Sequence, residues 1–373
     1  MKYYIISGEA SGDLHASNLA KELFAIDSQA HIRAWGGDLL RQQGAEVVKD
    51  YKDLAFMGFV EVALHLRIIL KNLKFCQKDI LNYNPDVVIL VDYPGFNLRV
   101  AKFLHKQGIK VFYYISPQVW AWHKSRVKDI KKYVDKMFVI LPFEKEFYAK
   151  HGIDVHYSGH PLLDMVKKTS INDDFRSKNN LDNRPIVALL PGSRKQEIQR
   201  MLNNMLTAIQ DVNGYQFVIA GVEHHRHLYE KILDGTDIKV VFLQTYDLLA
   251  NSYAALVTSG TATLETALFN VPQVVCYKGN YLSYLIAKNL IKGIRFISLV
   301  NLIADKEVVK ELIQHEMNPK NISLELQLLL GDTPQREEML NNYQQLHKKL
   351  GDGNASLEIA KTMQELIVSQ DRG

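Results

Sequence analysis

At 373 residues the chain is longer than one ordinary hydrophobic core organises, because cores stop growing near ~250 to 300 residues, so two domains are expected. With 47% hydrophobic and 23% charged residues the composition is that of a globular protein, which excludes disordered, collagenous and fibrous classes. A formal charge of +4 argues against a general nucleic-acid binder, and the two cysteines give neither a disulfide framework nor a Cys-x-x-Cys pair, which fits a reducing cytoplasm.

The opening apolar stretch, residues 1–8, is too short for a signal-peptide core, and no uncharged run reaches the roughly 20 residues of a membrane span, so neither export nor spanning is expected. Residues 3–7 read as a strand, followed by a helix from about Leu14. Residues 87–91 read as a strand followed by a helix near Leu98, and residues 111–115 and 137–141 as further strands. Strand and helix in alternation predict a parallel sheet covered on both faces, and the unbroken apolar run Val87-Val88-Ile89-Leu90-Val91 suits a strand buried on both sides.

Between residues 166 and 184 the composition turns polar, which predicts an interdomain linker after an N-terminal domain of residues 1–165. The alternation restarts with strands at 186–190, 215–220, 239–243, 254–257 and 273–277, giving a second α/β domain over 185–350. Residues 357–367 carry a helical apolar spacing within a final segment, 351–373. The fold class is therefore α/β, with two Rossmann-like doubly wound domains whose ligand residues should follow the strands.

Five loops after strands carry candidate chemistry. Ser7-Gly8-Glu9-Ala10-Ser11-Gly12-Asp13-Leu14-His15 opens a helix with two glycines and three titratable groups, though Asp13 or Ser11 could equally serve as a helix cap. Asp92 follows five apolar residues at the sheet rim, where partial burial would raise its pKa and suit it to accept a proton; capping the Pro94-Gly95 turn is the competing role. Residues 113–126 join Trp120 and Trp122 to a basic run, a combination suited to sugars and phosphates or, equally, to a core anchor.

In Leu190-Pro191-Gly192-Ser193-Arg194, Ser193 can cap while free amides and Arg194 face an anion; closure by Glu197 is the alternative. In Thr258-Ser259-Gly260-Thr261-Ala262-Thr263-Leu264-Glu265, helix-start amides suit a pyrophosphate and Glu265 suits ribose hydroxyls, while capping by Thr261 or Ser259 is the plainer role. Neither G-x-G-x-x-G nor a Walker loop occurs, and His224, His225 and His227 lack the spacing of a metal site. With no D-x-D tripeptide, no metal is expected. Residues 59–78 set Arg67, Lys71, Lys74 and Lys78 on one helical face and Leu66, Ile69, Leu70 and Leu73 on another. This pattern, like that of residues 281–299, fits either an anionic bilayer or a surface helix packed on its own core.

Read together, Ser7 to Asp13, the stretch Leu54-Ala55-Phe56-Met57-Gly58-Phe59-Val60-Glu61-Val62, Ser116 to Trp122, Leu141-Pro142-Phe143-Glu144, Leu190 to Arg194 and Ser259 to Glu265 resemble the lipid-A-disaccharide synthase family over nearly the whole chain. The resemblance implies an inverting glycosyltransferase whose two Rossmann-like domains face each other in the GT-B arrangement, with the final segment crossing back to the first domain. It implies UDP-2,3-diacylglucosamine and 2,3-diacylglucosamine 1-phosphate as substrates, no cofactor, and a peripheral position on the inner face of the cytoplasmic membrane; it leaves homo-oligomerisation open.

By the same resemblance Asp92 is the general base, with Glu9 and His15 as further catalytic positions. The UDP-sugar falls to Ser193, Arg194, Ser259, Gly260, Thr261 and Glu265 in the second domain, and Ser11, Trp120 and Asn301 are further substrate contacts. Many relatives carry a second Asp where this chain has Gly95. A different enzyme acting on UDP-sugars, such as a UDP-N-acetylglucosamine 2-epimerase, and a nucleotide sensor without catalysis are the alternative readings.

Overall fold

The computed structural model describes residues 1–54, 66–117, 126–169, 172, 174–279 and 295–369. The chain forms two compact units, Met1–Asp164 with Gly353–Gly373, and Met165–Asp352.

In the first unit the strands are β1 (Lys2–Ser7), β2 (His31–Gly36), β3 (Glu46–Asp50), β4 (Val87–Val91), β5 (Val111–Tyr114), β6 (Lys136–Val139) and β7 (Val155–Tyr157). They form a parallel 7-stranded sheet in the order β3-β2-β1-β4-β5-β6-β7. Strand order reverses between β1 and β4, whose register pairs Ser7 with Val91, so the loops leaving these strands splay apart and open a crevice at their carboxyl ends. All five β4 side chains are buried. Val88 and Leu90 point into one core, Val87, Ile89 and Val91 into the other, which is why this strand shows no polar alternation.

Helix α1 (Ala10–Ile26) covers the second of these cores and helix α2 (Pro94–Lys106) the first. In the second unit β8 (Ile186–Leu190), β9 (Gln216–Gly221), β10 (Lys239–Phe242), β11 (Ser252–Thr258), β12 (Gln273–Tyr277) and β13 (Lys310–Ile313) make a parallel 6-stranded sheet in the order β10-β9-β8-β11-β12-β13. Its reversal lies between β8 and β11. Helices α3 (Lys195–Ala208) and α4 (Thr261–Leu268) follow those two strands.

The polar stretch expected as a linker is not merely a connection. It contributes the short helix Phe175–Lys178, and Phe175 is fully buried in the core of the second unit beside Ile186 and Leu248. Leu181 packs against the same core, and Asn179 Nδ2 donates to Gln244 Oε1 at 3.0 Å.

The last helix, α5 (Ala355–Val368), packs Ile359, Ala360, Met363 and Ile367 against Leu19, Ala20 and Leu23 of α1. Its first amides, those of Ala355 and Ser356, donate at 3.1 and 3.0 Å to the two carboxylate oxygens of Asp164, which satisfies helix donors that would otherwise be buried unpaired. Replacing Ile359 with Ala removes buried methyl groups from this contact and should destabilise the first unit by about 2 to 5 kcal/mol in urea unfolding; an unchanged midpoint would mean that α5 contributes nothing to that core.

Candidate active site

The crevice of the first unit is lined by the loops after β1 and β4. Gly8 and Tyr93 meet there so closely that a Cβ on Gly8 would lie 2.4 Å from the Tyr93 ring, so residue 8 has no room for a side chain. Asp92 and Tyr93 both take left-handed backbone conformations, with φ of 44° and 48°. Two successive non-glycine residues in that region store strain, and the surroundings hold them there. The Asp92 amide donates to Tyr114 O at 3.1 Å, while the Asp92 carbonyl accepts from Asn97 Nδ2 at 2.8 Å and from the Tyr113 hydroxyl at 2.5 Å. Asn97 is fully buried and also donates to Val91 O.

With its main chain clamped in this way, Asp92 does not cap α2; Tyr93 occupies the cap position, and makes no side-chain cap. Burial pushes the Asp92 carboxyl up to about 6, the negative charge of Glu9 adds to the rise, and the Tyr93 backbone N–H works against it.

Glu9 stands at the cap position of α1 without capping it, and Ser11 is exposed in the first turn. Asp13 does not cap α1 either. Its carboxylate reaches across to the loop after β2, accepting from Gly37 N at 2.6 Å and Leu39 N at 3.2 Å, and burial raises its pKa against the pull of these backbone donors. The start of α1 is thus left open.

His15 departs from the expectation that groups it with Asp92. It is buried, its pKa is lowered to about 4 by that burial, and its charge couples to His160, itself buried and lowered to about 3. The Nδ1 of His15 is buried without a hydrogen-bond partner. Trp120, Trp122 and Lys124 fall within 118–125, outside the described residues, while the rest of the basic run, Arg126, Lys128, Lys131 and Lys132, lies on the helix Arg126–Tyr133.

In the second unit the loops after β8 and β11 flank the reversal point, so Ser193-Arg194 and Ser259-Gly260-Thr261 share one sheet edge. They differ in state. Ser193 is not the cap of α3; Arg194 occupies that position and the Glu197 carboxylate folds back to accept from Ser193 N at 3.1 Å and Arg194 N at 3.2 Å. The Arg194 guanidinium itself is exposed, 3.7 Å from Glu197. An anion at this loop would have to displace Glu197 from the amides.

The loop after β11 is open. Gly260 has φ 152° and ψ −163°, a conformation restricted to glycine, and has no side chain with which to cap α4. Ser259 does not cap it either, since its hydroxyl donates to Ile297 O at 3.1 Å. Thr261 is exposed at the first helical position. One turn further on, Glu265 Oε1 accepts from the Tyr246 hydroxyl at 2.9 Å; burial raises the Glu265 pKa and this bond lowers it. Free helix-start amides, a glycine that leaves open space above them and a carboxylate inside the first turns together suit a diphosphate joined to a ribose.

Asn301 cannot contact a ligand in this conformation. It is fully buried, its Nδ2 donates to Val309 O at 2.8 Å and Glu311 Oε1 at 2.9 Å, and its Oδ1 accepts from Val308 N at 2.7 Å and Val309 N at 3.0 Å. Glu311 in turn accepts from the amides of Ile297 and Ser298, both at 2.9 Å. Asn301 and Glu311 therefore fix the segment whose Ile297 carbonyl holds Ser259.

Asn97, Tyr246 and Glu311 escape sequence reasoning. The only signal for Asn97 is a poor helix former in the first turn after Pro94. Glu311 sits on a 4-residue strand whose flanking charges hide it. Among the described residues no group of three or more His, Cys, Asp or Glu side chains could hold a metal, and no helix is long and apolar enough to cross a membrane.

Comparison with known proteins identifies the family and the fold. A sequence model described as Lipid-A-disaccharide synthetase matches residues 3–365. The lipid-A-disaccharide synthase of Syntrophus aciditrophicus is 41% identical, covering 98% of both chains, and that of Trichlorobacter lovleyi is 38% identical, covering 97% of both. Among solved structures, the UDP-GlcNAc 2-epimerase of Neisseria meningitidis bound to UDP-GlcNAc superposes with a TM-score of 0.69 over 98% of this chain and 100% of its own. At 15% identity that likeness speaks for the fold, two parallel-sheet α/β domains of the GT-B kind, and for nothing finer. By sequence along nearly its full length, this chain belongs to the lipid-A-disaccharide synthetase family.

Proposed function

We propose that the protein joins UDP-2,3-diacylglucosamine to 2,3-diacylglucosamine 1-phosphate, forming the β(1→6) lipid A disaccharide 1-phosphate and releasing UDP. One observation carries the mechanism: a clamped, half-buried Asp92 beside Glu9 at the reversal point of a sheet in a chain of this family. In this reading the first unit holds the acceptor. Asp92 takes the proton from its 6-hydroxyl as that oxygen attacks the anomeric carbon of the donor on the face opposite UDP, so the configuration inverts and the new link is β.

The second unit holds the nucleotide. The amides at the start of α4 and the Arg194 guanidinium meet the charge that gathers on the departing diphosphate, and Glu265, steadied by Tyr246, accepts from the ribose hydroxyls. Glu9 acts on Asp92 through its charge, and Asn301 positions the loop around Ser259. Ser11 and Trp120 are further contacts to the acceptor or donor.

A peripheral site on the inner face of the cytoplasmic membrane fits two acylated substrates. It draws support from the helix Leu66–Tyr83, where Leu70 and Phe75 are each 47% exposed among the exposed cations Arg67, Lys71, Lys74 and Lys78, while Leu73, Cys76 and Ile80 face the core.

Supplying both lipids and following UDP and disaccharide by mass spectrometry should give the two products in equal amounts. Asp92→Asn should lower the rate by about 10² to 10⁴ while UDP affinity stays near that of the unaltered protein. A near-normal rate in that variant would remove Asp92 from the role of base, and conversion of the UDP-sugar without acceptor would favour the epimerase reading. A carboxylate is a base only when ionised, so kcat/KM should fall as pH drops through about 6. Glu9→Gln removes a like charge, eases ionisation of Asp92 and should move this acid limb to lower pH; loss of all activity would instead make Glu9 indispensable to the chemistry.

A further inference from the structure

At the carboxyl edge of the second sheet, beyond the loops already described, two side-chain polar atoms, Thr258 Oγ1 and Gln314 Nε2, are buried without a hydrogen bond. Among the described residues of this unit the buried side-chain atoms lacking any hydrogen bond are Thr258 Oγ1, Gln273 Oε1, Gln314 Nε2 and His347 Nε2. Gln273 begins β12, at the opposite edge, and His347 lies on the helix Pro334–Leu350. Thr258 ends β11 and Gln314 directly follows β13, so both stand at the carboxyl edge, two strands or roughly 10 Å apart.

Gln314 carries a second cost. Its φ is 55°, in the left-handed region, although it is no glycine, and it is only 6% exposed. Its own amide is well placed, donating to Tyr277 O at 2.8 Å, so the strain is that of a held residue and not of a frayed strand end. Strain and an unsatisfied buried donor at one residue, on the edge where this fold binds ligands, need a compensating partner that accepts hydrogen bonds.

We propose that Gln314 binds the hexose of the nucleotide-sugar donor, its side-chain N–H group donating to a sugar hydroxyl, with the Thr258 hydroxyl lining the same edge. The proposal rests on the assignment of the nucleotide to the second unit. From the reversal point between β8 and β11, where the diphosphate lies, the edge runs through β12 to β13, which puts Gln314 on the side of the diphosphate away from the loop after β8. Its place is that of a specificity residue, touching sugar and not UDP.

The test compares affinities for UDP and for UDP-2,3-diacylglucosamine in detergent, with the melting temperature as a third readout. Gln314→Gly deletes the amide while suiting the left-handed backbone. It should weaken the acylated donor about tenfold or more, leave UDP within about twofold, and keep or raise Tm. Gln314→Glu, the same shape without the N–H group, should show the same selective loss. Unchanged donor affinity in both variants, or an equal loss for UDP, would overturn this inference while leaving the nucleotide assignment intact; failure of the unaltered protein to bind UDP would sink the assignment and this inference together.

Discussion

The partial burial of one carboxylate, that of Asp92, is the constraint on which the site in the first unit depends. A strand of five apolar residues buried on both faces ends at the sheet rim, and the next residue is ionisable. Left to itself such a residue would turn outward to solvent. Here Asn97 and Tyr113 hold its carbonyl, Tyr114 holds its amide, and the Tyr93 ring closes over Gly8, so the backbone is kept in a conformation it would not choose alone. Strain of this kind persists only where the packing around it over-determines the geometry, and the two cores flanking β4 supply that packing.

The two sheets share one plan and put opposite electrostatics at their reversal points. In the first unit the ionisable side chains there are Glu9 and Asp92, both acidic, beside the uncapped start of α1. In the second, helix-start amides and Arg194 attract an anion. The second unit adds an internal contrast, since Glu197 already occupies the amides after β8 whereas those at the start of α4 have no side-chain acceptor. In the proposed reaction one fold serves proton removal in one copy and leaving-group stabilisation in the other.

Much of this was legible in the residues. Strands with unbroken apolar runs, such as 87–91 and 186–190, stood out at their true bounds because burial on both faces leaves no polar alternation to confuse them. The strands at 31–36, 46–50, 155–157 and 310–313 did not, since they carry polar and charged residues such as Arg33, Lys49, His156 and Glu311 and lie at or near the sheet edges. Loops after strands were readable as places for ligands, but the direction of each side chain was not. Closure by Glu197 on its own helix start was readable as an alternative because its partners are three and four residues away, whereas Asp13 reaches another loop and His15 and Asn301 turn inward to groups the sequence does not point to.

Labelling aspartate carboxyl carbons with ¹³C and titrating the protein by NMR, with Asp92→Asn to identify the resonance, addresses the desolvation directly. The account predicts an Asp92 midpoint of about 6, well above the ordinary aspartate range. A midpoint near ~4, as for an aspartate in open water, would contradict it.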